Sequence, residues 1–240
     1  MPPWPSYRRS YWLSAGKPSA GAPSSGCCTN KAGDAKKSLH AIERDTPRVH
    51  TLRSAHVEAI AQRPDVARFH FLDETGLRLD YTRRFGRARG GRRVGGAVPL
   101  RRPARSLTLI GAWSVRGLHG VQVLEGALTQ HSFALYISRI LAPRLQRGDV
   151  LVLDNLRMYH LSGLREWLAW RGIEVLFLPL YSPDFTPIEQ AWGKLKTKLR
   201  QAQARTREAL EEALHPAIDW ITSSGAKAWF NHCGYHVHRS

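Results

Sequence analysis

Three acidic residues occupy positions from which they could share metal ions. Asp73 follows the apolar run Phe69–Leu72, and Asp154 follows the apolar run Val150–Leu153. Glu189 stands just inside a later helix-like segment, with 34 residues (155–188) between it and Asp154. Mg²⁺ prefers oxygen ligands and keeps much of its water, so a few carboxylates are enough to hold it. The spacing therefore predicts a divalent-metal site.

The chemistry that such a trio supports is cleavage of a DNA phosphodiester. Two Mg²⁺ ions about 3.5–4 Å apart, or Mn²⁺ in their place, would act on the attacking and the leaving oxygen. We expect Asp73 to bridge the metals, and Asp154 and Glu189 to hold one each. Glu74 is the alternative to Asp73. Because side chains alternate along a strand, only one of these two can share the face of Asp154, and Asp73 is preferred.

Each acid also has a purely structural interpretation. Asp is common in turns that follow strands, and Glu189 completes a Thr-x-x-Glu capping box with Thr186. The conjunction favours the metal interpretation, because these acids belong to a chain with 36 Lys and Arg against 19 Asp and Glu, a net charge of +17. Such an excess repels itself unless it meets a polyanion, so nucleic acid is the expected partner.

Two basic segments are candidates for contact with the DNA backbone. Residues 83–105 contain nine arginines, no acid and two glycine pairs, which is typical of a loop that lies along phosphates. The alternative is a solvated loop. The second segment is the lysine-rich helix that follows Glu189. The predicted DNA-binding residues are Arg83, Arg84, Arg87, Arg89, Arg92, Arg93, Lys194, Lys196 and Lys198.

The elements that must position these acids alternate between strands and helices. Strands are predicted at Phe69–Leu72, Leu107–Val115, Val121–Leu128, Val150–Leu153 and Ile173–Leu178, with Arg-Gly-Leu-His-Gly as the turn between the second and the third. Helices are predicted near 51–62, 133–141 and 164–168, after Thr186, and as one final helix along 210–221. Short connections and right-handed crossovers then place the first and fourth strands side by side and parallel. The predicted fold class is α/β, a ribonuclease-H-like mixed five-stranded sheet with flanking helices.

Composition sets the expected domain organisation. Residues 1–45 are predicted to be a disordered or low-complexity extension, 46–68 a lead-in helix and 69–238 the catalytic domain. No run reaches the roughly 18 apolar residues of a membrane helix, and three cysteines make no disulfide framework. We therefore expect a cytoplasmic, nucleoid-associated protein.

Two further groups of residues have alternative interpretations. His232, Cys233, His236 and His238 are metal-ligand types, but their spacing matches no common zinc motif, and packing or DNA contact is preferred. Four tryptophans, Trp113, Trp167, Trp192 and Trp220, fall on apolar stripes or strands and are expected in the core rather than as platforms for bases.

Three segments carry a resemblance to a known family. FLDETG at 71–76, LVLDN at 151–155 and YSPDFTPIEQAWGKLK at 181–196 resemble the catalytic blocks of DDE transposases of bacterial insertion sequences, in the mariner-like superfamily and the insertion sequence 630 class. The resemblance covers about residues 36–238. It implies an Mg²⁺-dependent transposase that nicks element ends and joins the freed 3′ hydroxyl to target DNA. The acids that match are Asp73, Asp154 and Glu189.

The sequence departs from this family in three places. Tyr159 stands where the family has His, with His160 one residue later, and Thr186-Pro187 replaces Asn-Pro. The family's N-terminal helix-turn-helix modules exceed what residues 1–50 can hold. We therefore expect the catalytic half, with a helix-turn-helix partner from a separate reading frame and a homodimer as a further candidate assembly. The alternatives are a catalytically inactive DNA-binding remnant and a free-standing ribonuclease-H-like nuclease.

Overall fold

The computed structural model describes residues 41–83, 85–86, 88–97, 106–221 and 223–237. The strands are β1 (Phe69–Leu77), β2 (Leu107–Ser114), β3 (Gly117–Glu125), β4 (Val150–Leu153) and β5 (Glu174–Phe177). The helices are α1 (Pro47–Ala61), α2 (Gln130–Tyr136), α3 (Leu164–Trp170), α4 (Ile188–Ala202), α5 (Arg207–Asp219) and α6 (Ser223–His232). A turn of π-helix, Ile137–Leu141, continues α2.

The five strands form one mixed sheet in the order β3-β2-β1-β4-β5. The pairs β1–β2 and β2–β3 are antiparallel, whereas β4 runs parallel to both β1 and β5. The predicted mixed five-stranded sheet is confirmed, including the adjacency of the first and fourth strands.

Helices cover both faces of the sheet. On one face, Phe69, Phe71, Val150 and Val152 pack with the buried side of α4 and with α5 and α6. On the other face, Leu72, Leu151 and Leu153 pack with α2 and α3. This alternation follows from the period of two in a strand, and it explains why β4 is apolar at every position.

β1 is longer than the sequence predicted. The segment Asp73–Gly76 looked like a turn, but it pairs with β2 from Asp73↔Gly111 to Leu77↔Leu107, so Asp73 lies inside the strand. The parallel pairing with β4 does stop at Leu72↔Leu153. Asp73 and Asp154 therefore each follow directly on the last residue of this parallel pairing, at the edge of the sheet where β1 and β4 separate.

The hairpin and the C-terminal helices also differ from the prediction. The β2–β3 turn is the two-residue loop Val115-Arg116, because Ser114 pairs directly with Gly117, whose φ of 115° suits glycine. The single predicted final helix is two helices, α5 and α6, with Pro216 inside α5.

The N-terminal boundary can be described from residue 41. Residues 1–40 of the predicted extension lie outside the described residues, and Ile42–Asp45 form a short 3-10 helix. The predicted lead-in segment contains α1 and a 3-10 turn at Val66–Arg68. Within the described ranges, no helix is both long and apolar enough to cross a bilayer.

The core prediction for the tryptophans is half right. Trp113 and Trp192 are buried. Trp167 and Trp220, at 38% and 40% exposed, are not core residues, so the prediction is wrong for them. Trp167 lies on the outer side of α3 beneath the Arg171 guanidinium, and Trp220 ends α5 beneath two lysines of α4. An apolar stripe cannot show which of its members another element will cover.

Candidate active site

The sheet places the two aspartates on one face. Phe69 pairs with Val150 and Phe71 with Val152, and all four side chains point towards α4. Two residues further along each strand, alternation returns to the same face, which is where Asp73 and Asp154 stand. Both line a cavity of about 310 Å³ at the C-terminal edge of the parallel strands.

Helix α4 brings Glu189 to the same cavity. Ile188, Trp192 and Leu195 are almost fully buried against the sheet, which fixes the first turn of the helix beside the strand ends. Glu189, the second residue of α4, is among the residues that line the cavity. The capping interpretation is not supported, because the N-cap of α4 is Pro187 and no side chain caps the helix. The Glu189 backbone N–H instead donates to the Thr186 carbonyl at 3.3 Å.

The three carboxyl groups repel one another. Burial raises the pKa of Asp73 to about 8, reinforced by the charges of Glu189, Glu74 and Asp154 and opposed by the Trp192 indole N–H, which donates to Asp73 Oδ2 at 3.0 Å. Burial also raises the pKa of Asp154, with Glu189 adding to the shift. The Leu156 backbone N–H, 3.1 Å from Asp154 Oδ1, opposes it.

This acidic cluster has no ion-pair partner within the described ranges. Among the residues that the structure describes, none forms an ion pair with Asp73, Asp154 or Glu189. A chain of net charge +17 could readily have supplied one. Unpaired carboxylates at this density are costly unless something else neutralises them, which makes the cavity a candidate functional site.

The donor set suits a hard divalent cation, since all of its ligands would be carboxylate oxygens. In the described ranges, no group of three or more His, Cys, Asp or Glu side chains is arranged so that it could hold a metal ion by itself. Water and substrate oxygens would have to complete the coordination, as they commonly do for Mg²⁺.

A second acid lies across the sheet from Asp73. Glu74 points to the opposite face, as alternation requires, and the Tyr159 hydroxyl donates to its carboxylate. Burial, with the charge of Asp154 in addition, raises the pKa of Glu74 to about 7. Sequence reasoning missed this pair, although Tyr159 at the expected histidine position was the available signal. His160 instead stacks on Phe177, with ring centroids 4.4 Å apart.

The predicted lysine set divides between two sides of α4. Lys194 and Lys198 place their Nζ atoms 4.5 and 4.2 Å from the centroid of the exposed Trp220 ring. Lys196, two residues from each, donates instead to the Thr75 hydroxyl of β1. Lys196 is therefore tied to the sheet, and only Lys194 and Lys198 share a surface.

The remaining predicted contacts lie on exposed segments or beyond the described residues. Arg83, Arg89, Arg92 and Arg93 are exposed, whereas Arg84 and Arg87 fall outside the described residues. In the tail, Cys233 is buried with its sulfur 3.9 Å from Gln190, and His232 and His236 are exposed. His238 is not described, and the described tail residues form no metal cluster.

The order of the sheet is that of a ribonuclease-H-like domain, and the comparisons identify the family. Residues 68–211 match the model of the DDE superfamily endonucleases. Because the match spans more than half of the chain, the protein belongs to that family. The comparison with curated proteins finds no match.

Solved structures of the Mos1 mariner transposase share the fold. The Mos1 strand transfer complex superposes with a TM-score of 0.60 at 15% identity, covering 85% of this chain and 64% of that one. The Mos1 paired end complex with Mg gives 0.61 at 15% identity. The Mos1 catalytic domain gives 0.52 at 13% identity and is covered completely. The predicted ribonuclease-H-like fold is confirmed, and this chain spans 64% of the Mos1 chain in the strand transfer complex and in the paired end complex with Mg.

Proposed function

We propose that this chain is the catalytic domain of a DNA transposase of the insertion sequence 630 class. Asp73, Asp154 and Glu189 are its catalytic residues and hold Mg²⁺, or Mn²⁺ in its place, as a pair of ions. One observation carries the proposal: three carboxylates, with no ion-pair partner among the described residues, line one cavity in a strongly basic chain of the DDE endonuclease family.

The residues of the chain have distinct parts in this reaction. Bound Mg²⁺ would supply charge neutralisation at the phosphate and activate a water or a 3′ hydroxyl. Asp73 and Asp154 are fixed by adjacent strands, which limits the freedom of their oxygens. The Trp192 N–H orients the Asp73 carboxylate. Glu189 approaches from α4, whose buried side holds it against the repulsion of the aspartates.

The proposed substrate is double-stranded DNA, namely the element ends and the target. Lys194, Lys198 and the exposed arginines of the β1–β2 loop would neutralise DNA phosphates. The Mos1 structures that share this fold include a strand transfer complex and a paired end complex. A homodimer, a helix-turn-helix partner from a separate reading frame and a cytoplasmic, nucleoid-associated location belong to the same proposal.

An assay on pre-nicked DNA that carries the ends of the encoding element tests the proposal. With Mg²⁺ present, joining of the 3′ end to a second duplex is the expected result. Hydrolysis without joining would replace the proposal by a free-standing nuclease, and binding without chemistry would replace it by an inactive remnant. Asp154→Asn should abolish chemistry and keep DNA binding. Asp219→Asn, an exposed carboxylate at the end of α5, is the matched control and should change neither.

A further inference from the structure

One wall of the acidic cavity is a loop rather than a strand or helix. The loop connects β5 to α4, and Tyr181, Ser182, Pro183 and Thr186 line the cavity beside Glu189. Its internal bonds are local: the Phe185 N–H donates to the Ser182 carbonyl, the Thr186 N–H to the Pro183 carbonyl and the Ser182 hydroxyl to the Leu180 carbonyl, each at 3.1 Å. Something outside the loop must hold it in place.

Arg53 of α1 provides that hold. Its Nη1 donates to Ser182 Oγ at 2.6 Å, to Asp184 Oδ1 at 3.1 Å and, more weakly, to the Tyr181 carbonyl at 3.4 Å. Its Nη2 donates to Asp184 Oδ2 at 2.5 Å, which completes a bidentate pair. The Arg53 side chain is only 12% exposed. Arginine suits this position because its planar fork can satisfy several fixed acceptors at once.

Neighbouring residues reinforce the same contact. Arg44, in the 3-10 helix before α1, donates to Asp184 Oδ2 at 3.1 Å. The Arg53 guanidinium lies 4.3 Å from the centre of the Phe185 ring, and His56 stacks on that ring at 5.1 Å. α1 therefore contacts the loop through a charged side chain, Arg53, and an aromatic one, His56.

The loop contains a strained backbone conformation that contacts from outside the loop must stabilise. Tyr181 has a φ of 55°, a left-handed conformation that a bulky residue adopts only where its surroundings enforce it.

Burial alone would raise the pKa of Asp184, but the hydrogen bonds from Arg53 hold that pKa below its usual value, so the Arg53–Asp184 pair stays ionised near neutral pH.

We propose that Arg53 is a positioning residue for the active site. It fixes the wall Tyr181–Thr186 and, through the Thr186 carbonyl that accepts the Glu189 N–H, sets where α4 begins. α1 lies outside residues 68–211, which the family model matches, yet by this inference it belongs to the catalytic unit. The inference deepens the proposed function, and the part that concerns Glu189 rests on it.

Hydrogen–deuterium exchange of residues 178–190 in the full chain, without metal, tests the wall directly. Arg53→Gln should speed exchange roughly tenfold or more, because several hydrogen bonds are lost, and Arg53→Lys should have a smaller effect. Arg63→Gln is the matched control. Arg63 follows α1 and is similarly bonded, to Asp65 and Glu174, but it lies away from the cavity wall and should leave this segment unchanged. Denaturant unfolding of each variant separates loosening of the loop from global unfolding.

Titration with Mn²⁺ alone tests the consequence for the site. Arg53→Gln should weaken Mn²⁺ binding about tenfold, as loss of an outer supporting contact commonly does, with Arg53→Lys in between and Arg63→Gln unchanged. Unchanged exchange in Arg53→Gln overturns the inference, and so does a loosened wall with unchanged Mn²⁺ affinity. If the unaltered protein binds no Mn²⁺, the proposed function fails, while the exchange result still decides whether Arg53 fixes the wall.

Discussion

Replacing Asp73 by Asn should stabilise the metal-free protein while abolishing its chemistry. The folded-state pKa of Asp73, about 8, lies above its ordinary value of 3.8, mainly because of burial and then because of nearby carboxylates. Between those two values the folded protein keeps a proton that the unfolded chain releases. Stability therefore falls as the pH rises through this window. Asn has nearly the same shape, can accept the Trp192 N–H and does not titrate.

The size of the gain follows from the linkage. Each pH unit between the two pKa values costs about 1.4 kcal/mol, so keeping Asp73 costs up to about 4 kcal/mol at pH 7. The neighbouring acids titrate together with Asp73, so part of that cost belongs to the cluster and remains in the variant. We therefore expect a gain of about 2–4 kcal/mol. For a domain of this size, 2 kcal/mol raises the Tm by about 4–8 °C. Near pH 4 the gain should vanish.

Urea unfolding with EDTA present, from pH 4 to pH 8, measures this difference. Mn²⁺ should then offset the difference, because ligand at about 1,000 times its Kd adds about 4.1 kcal/mol to the unaltered protein alone. Asp184→Asn is the matched control: its carboxylate is held ionised by Arg53, so neutralising it should destabilise the protein at pH 7. An Asp73→Asn gain that does not change with pH, or a loss, would refute the electrostatic account of the cavity.

Three further variants test neighbouring contacts. Tyr159→Phe removes the donor to Glu74 and should cost about 1–3 kcal/mol in urea unfolding, more at pH 8 than at pH 5.5, because Glu74 is ionised above its pKa of about 7. Equal losses at both pH values would contradict this. Lys196→Ala should lower stability by about 1 kcal/mol through loss of the bond to Thr75, without changing the salt dependence of DNA binding. Lys194→Ala should leave stability unchanged and should reduce the slope of log K for DNA binding against log salt concentration by about 0.9. Filter-binding titrations at several salt concentrations decide between the two lysines.

The sequence could predict where the aspartates stand because their neighbours obey simple rules. Short apolar runs before Asp73 and Asp154 had to be strands with both faces buried, and right-handed crossovers left few ways to arrange them. Alternation then decided between Asp73 and Glu74, and the structure places them on opposite faces. The adjacency of the two strands and the opposite faces of Asp73 and Glu74 need only local periodicity and chain connectivity, which is why the sequence could predict them.

The rest depended on contacts between distant parts of the chain. β1 extends past Asp73 because β2 offers it a partner, and no local pattern distinguishes that pairing from a turn. The exposure of Trp167 and Trp220 depends on which helix faces remain uncovered. The contact of Arg53 with Asp184 joins residues 131 positions apart. Such pairs leave no trace in the periodicity of either segment.

The acidic cavity is held together by the apolar packing beneath it. The carboxyl groups on β1, just after β4 and on α4 repel one another as they ionise, which favours separation of the helix from the sheet. Burial of Ile188, Trp192 and Leu195 opposes that separation, at about 1.5–3 kcal/mol for each large side chain. Trp192 contributes to the packing and to the site, since its ring is buried in the core while its N–H donates to Asp73. The apolar packing thus holds in place an acidic cluster that is expected to destabilise the metal-free fold, which is the arrangement that the proposed metal site requires.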